Sequence, residues 1–291
     1  MESVIHKEQK GGSVQVIRAA VLGSPISHSL SPQLHKLAYE SLGVEAEYSR
    51  FEVKSGELTS FLVANTGLNA LSLTMPLKEE ALSIADDVSS ISKQIQSGNT
   101  LIKENGKWSL TSTDVDGFTE AIKSRQVQIN QGVLVFGSGA TARAFMAFCN
   151  ADEQVQRGQV HVIHRNPDRQ KQMQAAAPDL DLVFHQWGSF SLINQMSLIV
   201  NTTPAGVADT FVEYVSKPQG VFFEALYDPW PTRLFQEWTK QEAETIDGVD
   251  LLVHQAISQV EIFSNKTVDR NVLSTLMRSK ALELLERSTG N

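Results

Sequence analysis

Apolar and polar positions follow two periods that alternate along the chain. Val16-Ile17-Arg18-Ala19-Ala20-Val21-Leu22-Gly23 is an apolar run that stops at a glycine, as a strand ending in a turn does. Behind Ser31-Pro32, residues Leu34, Leu37, Ala38 and Leu42 recur at helical spacing. This predicts a helix with Ser31 as N-cap, Pro32 at its first position and Gly43 as its stop. Strands are predicted over 46–53 and 70–74, and helices over 58–63 and 78–85. Asn105-Gly106, between Thr100-Leu101-Ile102 and Trp108-Ser109-Leu110-Thr111, predicts a hairpin, followed by a helix over 117–122. The pattern then restarts. Gly132-Val133-Leu134-Val135-Phe136-Gly137 has the unbroken apolar character of a strand buried on both faces, and a helix follows to about Cys149. Further strands are predicted over 160–164, 198–201 and 221–226, and two helices, 251–263 and 271–287, close the chain. Strands alternating with helices define an α/β layer structure. Residues 1–16 read as a loose tail, and there is no internal repeat.

Composition narrows the class. A chain of 291 residues makes one large domain or two ordinary ones. Its net charge of −8 disfavours nonspecific nucleic-acid binding but leaves room for a local basic pocket. Cys149 is the single cysteine, so no intrachain disulfide forms, which suits a reducing compartment. It sits in an apolar run and reads as a buried structural thiol; no His/Cys cluster points to a metal. No apolar run approaches the ~18 residues of a membrane helix, and residues 1–14 lack the apolar core of a signal peptide. The expected location is the cytoplasm, with neither membrane nor nucleic acid as a partner.

Gly137-Ser138-Gly139-Ala140-Thr141-Ala142 stands between a predicted strand and a predicted helix. The first glycine permits the tight turn, the second lets the backbone approach a pyrophosphate, and the third small residue lets helix and strand pack closely. The helix N-terminus adds N–H groups and the positive end of a dipole. At the end of the next strand, where an NAD site usually carries an acid, the chain reads His164-Arg165-Asn166-Pro167-Asp168-Arg169. Guanidinium groups suit a 2′-phosphate, so NADP is favoured, with NAD kept as the alternative by Asp168.

Four polar groups precede this loop: Ser27-His28-Ser29-Leu30-Ser31-Pro32, Thr74-Met75-Pro76-Leu77-Lys78, Gly98-Asn99-Thr100 and Ser112-Thr113-Asp114-Val115-Asp116-Gly117. Together they supply hydroxyls, a carboxamide, an ammonium and carboxylates, a set suited to a small polyhydroxylated anion. Singly, each has a plainer reading: Ser31 as a cap, Asn99 in a turn, Asp114 as a helix cap, Lys78 as a solvated helix-start residue.

In order and spacing, these motifs resemble the shikimate dehydrogenase family from about Val21 to Phe263. The likeness continues through Asn201-Thr202-Thr203-Pro204-Ala205-Gly206, Tyr227-Asp228-Pro229 and Gly248-x-x-x-Leu252-x-x-Gln255-Ala256. The resemblance implies NADP-linked interconversion of 3-dehydroshikimate and shikimate, with Lys78 and Asp114 as the catalytic pair. It implies substrate contacts at Ser29, Ser31, Thr74, Asn99, Tyr227 and Gln255. It implies cofactor contacts at Gly137, Ser138, Gly139, Ala140, Thr141, Arg165, Asn166, Thr202 and Gly248. The implied fold is an N-terminal α/β substrate domain, 17–119, and a Rossmann-like NADP domain, 120–248. C-terminal helices, 249–291, return to the first domain. A homodimer is left open. Free lysine, at pKa ~10.4, is too basic to serve as an unprotonated base near neutrality, so proton donor is the role assigned to Lys78, with Asp116 a rival to Asp114. Where the family often has Asn, this chain has Ser72; Gln96-Ser97-Gly98, Ser112 and His164 also depart from the family pattern. Quinate is therefore the competing substrate, against which Ser29 and Ser31 favour shikimate. A nucleotide-sensing protein without turnover is the reading from a different class.

Overall fold

The computed structural model describes residues 16–155 and 158–289, so the expected tail, apart from Val16, lies outside the described residues. The first half runs β1 (Ile17–Gly23), α1 (Ser31–Ser41), β2 (Ala46–Glu52), α2 (Leu58–Ala64), β3 (Ala70–Leu73), α3 (Leu77–Glu80), β4 (Asp87–Val88), α4 (Ser90–Ile95), β5 (Thr100–Glu104) and β6 (Lys107–Thr111). Helix α5 (Asp114–Ser124) leads to β7 (Val133–Phe136), α6 (Ala140–Ala151), β8 (Val160–His164), α7 (Gln170–Ala176), β9 (Leu182–Gln186), β10 (Leu198–Asn201), β11 (Val221–Glu224), α8 (Arg233–Lys240) and β12 (Thr245–Ile246). Helices α9 (Gly248–Ser264) and α10 (Arg270–Thr289) follow.

The strands form two sheets. The first has the order β2-β1-β3-β5-β6-β4, with β1 parallel to both neighbours and β5 antiparallel to β3 and β6. The second, β12-β11-β10-β7-β8-β9, is parallel throughout. Its chain moves outward from β7 to β9, then crosses back to β10. The crevice beyond β7 and β10 is therefore a topological switch point, where open α/β sheets bind ligands. All four residues of β7 are buried, as the apolar run requires. At the β5–β6 turn, Asn105 and Gly106 both have positive φ, the conformation a two-residue hairpin of this kind demands.

Two features join the halves. Helix α9 is buried along most of its length and sends apolar side chains into both cores. Leu251 packs with Phe118 and Phe223 in the core of the second sheet, while Leu252, Val253 and Ala256 pack with Leu34 and Tyr39 in that of the first. On α6, fully buried Arg143 donates to the Ile95 carbonyl (2.6 Å), to the Gln96 carbonyl (3.1 Å) and to Glu79 Oε1 (2.6 Å). A guanidinium taken wholly out of water needs this full set of acceptors. The division expected at 119/120 falls inside α5, which runs unbroken past it.

Several local expectations change. Leu30, not Ser31, is the N-cap of α1, and Ser31 is its first residue. The helix expected over 78–85 is α3 followed by a tight 3₁₀ turn at 81–83. The sequence pattern missed β4, α4, α7, β9, α8 and β12, which are short. Half-exposed β9 lacks the continuous apolar character of β7 and β8.

His35, on α1, is fully buried against the Tyr48 ring, centroids 4.1 Å apart. Desolvation lowers its pKa from 6.5 to about 3, opposed by Gln259. A folded-state pKa below the unfolded one gives stability that is complete above pH 6.5 and lost as the pH falls toward 3. At pH 5 the loss is about 2 kcal/mol. His35→Phe keeps an aromatic partner for Tyr48 and cannot titrate. Between pH 7 and pH 5 its melting temperature is expected to drop less than the wild type's, and equal drops would contradict the assignment.

Candidate active site

The loops at the carboxyl ends of both sheets face one cavity of about 420 Å³. Its first wall is built by β1 and β3, paired Leu22 to Leu73, and by the loops that leave them. Those loops are pinned together: Ser24 N–H donates to the Met75 carbonyl and Thr74 N–H to the Leu22 carbonyl, both at 2.9 Å. The chain turns at Pro76 into α3, which places Lys78 in its first turn; the Lys78 carbonyl accepts from Gly98 N–H at 2.9 Å. Thr100 of β5 faces Thr111 of β6, which brings Asn99 beside 112–114. Thr113 N–H donates to Asn99 Oδ1 (2.8 Å), and Asn99 Nδ2 donates to Asp114 Oδ1 (2.9 Å). Asp114 opens α5, and its Oδ2 lies 2.6 Å from Lys78 Nζ. The side chains are only 15% and 8% exposed, and both line the cavity. An ammonium has three protons, so Lys78 keeps donors for a ligand oxygen after pairing with Asp114.

Ser29, Ser31, Thr74, Asn99, Tyr227 and Gln255 line the same cavity. Ser31 N–H reaches the Ser29 hydroxyl at 3.4 Å. Tyr227 comes from the loop after β11 and crosses to the first half. Burial pushes its hydroxyl up to about 12, against the lowering effect of its hydrogen bond with Ser29, so it remains a proton-bearing group. Gln255 donates to the Leu252 carbonyl (2.8 Å), leaving its Oε1 3.2 Å from Asn99 Nδ2. Asp116, the rival carboxylate, is exposed and is not part of the cavity lining. Ser72 and Gln259 also line the cavity without having been singled out as site residues. Ser72 had a local signal, two residues before Thr74 on one strand. Gln259 had another, one helical turn beyond Gln255. His28 and Asp228, 3.9 Å apart, face each other at the cavity from opposite halves.

The second wall carries the glycine loop. Gly137 has φ +105°, and a Cβ there would lie 2.7 Å from Thr202 Oγ1. Gly139 precedes α6 with no side chain capping the helix, and a Cβ on it would meet only Arg169 Nη1, at 3.7 Å. Gly137, Ser138, Gly139 and Ala140 therefore form an open turn whose uncapped helix N–H groups suit an anion. Thr141, Thr202 and Gly248 reach the cavity that holds Lys78; the remainder of the loop, Arg165 and Asn166 lie outside its lining. Arg165 extends over the Trp187 ring, with its guanidinium carbon 5.6 Å from the centroid. Asn166 uses its side-chain oxygen locally, accepting from Asp168 N–H at 3.0 Å. An open glycine turn with Arg169 over it and Arg165 at the end of β8 fits a dinucleotide with an additional phosphate on its ribose. Behind Thr202-Thr203, buried Glu224 accepts from Asn201, Thr232 and Leu226 N–H; burial pushes its carboxyl up to about 7 against these hydrogen bonds. Asn201 Oδ1 in turn accepts from the Thr203 N–H and hydroxyl, so Glu224 anchors the loop that carries Thr202.

Two α/β units, one with a glycine loop at a parallel-sheet switch point, facing a shared cleft with a lysine–carboxylate pair, define the architecture of a nucleotide-linked oxidoreductase. The shikimate dehydrogenase substrate binding domain matches residues 21–101. Shikimate dehydrogenase (NADP(+)) from Nostoc sp. is 30% identical over 260 residues, covering 84% of this chain and 89% of that protein. The Mycobacterium tuberculosis shikimate dehydrogenase crystal structure superposes with TM-score 0.78 at 30% identity, covering 90% of this chain and 99% of that one. The Thermus thermophilus enzyme, solved with NADP(H) and shikimate, gives TM-score 0.78 at 28% identity, covering 91% and 99%. The chain belongs to the shikimate dehydrogenase family.

The two glycines of the loop separate by geometry. Gly137→Ala forces a left-handed conformation and a clash on a β-carbon, at a cost of roughly 1–3 kcal/mol, and a lowered melting temperature is expected. Gly139→Ala meets only an ordinary contact with the Arg169 side chain and is expected to melt with the wild type. Equal melting temperatures for all three proteins would contradict this loop geometry.

Proposed function

We propose that this chain catalyses the reversible NADP-linked interconversion of 3-dehydroshikimate and shikimate. One observation carries the reading: a Lys78–Asp114 pair 2.6 Å apart, in a cavity that also receives Thr141, Thr202 and Gly248 from the nucleotide side. NADP, when bound, supplies or accepts the hydride. Gly137, Ser138, Gly139, Ala140 and Thr141 would hold its phosphates at the start of α6, and Arg165 and Asn166 its adenosine end, with Arg169 beside them. On the protein side, reduction of a ketone needs a proton at the carbonyl oxygen. Lys78 Nζ holds that proton, and Asp114 fixes the direction in which Nζ points. In the oxidation direction the hydroxyl proton returns to the same pair. The hydroxyls of Ser29, Ser31, Thr74 and Tyr227, with the amides of Asn99 and Gln255, supply donors and acceptors for a carboxylate and a ring of hydroxyls. The substrate unit is 17–119 with 249–291, and the nucleotide unit is 120–248. Among the described residues no helix is long and apolar enough to cross a membrane. We place the enzyme in the cytoplasm, acting on a small molecule, with a homodimer as the assembly for sedimentation to test.

Purified protein is to be mixed with shikimate or quinate and with NADP⁺ or NAD⁺ while nicotinamide absorbance is followed. Fastest turnover is expected with shikimate and NADP⁺. Turnover on no combination would overturn the enzyme reading, and equal rates with quinate and NAD⁺ would overturn the specific one. Lys78→Ala is expected to lower kcat by at least ~100-fold while dinucleotide binding, followed by fluorescence, persists. A variant with wild-type kcat would exclude Lys78 from the proton step.

A further inference from the structure

The inner wall of the cavity carries a hydrogen-bonded chain with one direction throughout. Tyr48 Oη donates to Ser72 Oγ (2.6 Å), Ser72 donates to Gln259 Oε1 (2.7 Å), and Gln259 Nε2 donates to Thr100 Oγ1 (2.9 Å). Thr100 donates to Asn99 Oδ1 (2.7 Å), and Asn99 Nδ2 donates to Asp114 Oδ1, the carboxylate paired with Lys78. Elementary chemistry fixes this polarity. The carboxylate of Asp114 only accepts and the backbone N–H of Thr113 only donates, so Asn99 presents its NH₂ to the one and its oxygen to the other. The Asn99 carbonyl only accepts, so Gln259 turns its NH₂ toward it (3.0 Å) and its oxygen toward Ser72. Ser72, Gln259, Thr100, Asn99 and Asp114 are all buried, so each broken link leaves a polar group without water to replace it. The titratable groups at the chain are Tyr48 itself, with Tyr39 and Tyr227 near it, His35, stacked on Tyr48 and facing Gln259, and the Lys78–Asp114 pair at the far end.

We propose that Gln259 and Tyr48 are positioning residues for the proton step: through Thr100 and Asn99 they fix the carboxylate that aims Lys78. Two links are amides, which orient but do not relay protons, so the chain sets geometry and carries no proton from bulk water. Its other consequence is for recognition. Both hydroxyl protons at its start are committed inward, so Ser72 offers the cavity an oxygen lone pair and reads a substrate hydroxyl as a donor. This inference rests on the activity proposed above.

The test compares kcat and KM for Gln259→Leu, Gln259→Glu, Tyr48→Phe and the Tyr48→Phe/Gln259→Leu double variant, across pH, with shikimate and NADP⁺. Gln259→Leu is expected to lower kcat roughly tenfold or more, as loss of a buried hydrogen bond to a charged network does, with the KM for NADP⁺ within about twofold. Gln259→Glu is expected to regain activity as the pH falls. A neutral carboxyl has the acceptor and one of the two donor protons that the amide gives to Thr100 and the Asn99 carbonyl, so the recovery is partial, whereas its ionised form leaves both without a donor. Tyr48→Phe breaks the same chain, so the double variant is expected to lose no more than Gln259→Leu alone. An additive double variant, or a Gln259→Glu profile parallel to the wild type's, would overturn the proposal, and the Gln259→Glu profile remains readable if Gln259→Leu folds poorly. A wild type without turnover would sink the activity itself and this proposal with it. A working wild type whose Gln259→Leu variant keeps kcat would sink this proposal alone.

Discussion

The Lys78–Asp114 pair is the constraint around which the first half is built. Taking an ammonium and a carboxylate largely out of water costs several kcal/mol per ion unless geometry and added hydrogen bonds repay it. Here the distance is 2.6 Å and Asn99 supplies a further donor to the carboxylate. Neither residue is delivered by its neighbour in sequence. Lys78 comes from the turn after β3 and Asp114 from the end of β6, so β5 must lie between those strands in the sheet, with Asn99 at its start.

The same pair explains why two sheets must share one cleft. The proton source proposed for this pair is useful only where a second reactant meets the substrate, and the switch point between β7 and β10 is where a parallel sheet offers that place. Helix α9 settles the halves against each other by joining both cores. Arg143 locks the helix behind the glycine loop to Glu79, the residue after Lys78. The loop proposed to hold a nucleotide and the lysine proposed to hold a proton are thus joined through packed elements, although they lie far apart along the chain.

Much of this frame was legible because the relevant signals are local. The apolar run into Gly137 has the character of a buried strand, and the order of Thr74-x-Pro-x-Lys78, Asn99-Thr100 and Thr113-Asp114 points to one site. Ser31-Pro32 reads as a cap because a serine before a proline and a helical period fits that role. The helix in fact begins one residue earlier, freeing Ser31 to line the cavity. Gln259 has only its place one helical turn beyond Gln255 to mark it, and Tyr48 has nothing. Their link to Ser72 joins positions 24 and 187 residues apart, a relation that no periodicity encodes.

The account depends most on Lys78 and Asp114 acting as one unit, and a double-mutant cycle on kcat for shikimate oxidation measures this directly. Lys78→Ala, Asp114→Ala and the double variant are compared with the wild type. A single unit predicts that the double variant loses about as much as the worse single variant, because either change alone already disables the pair. Losses that multiply would show two independent contributions and contradict the account.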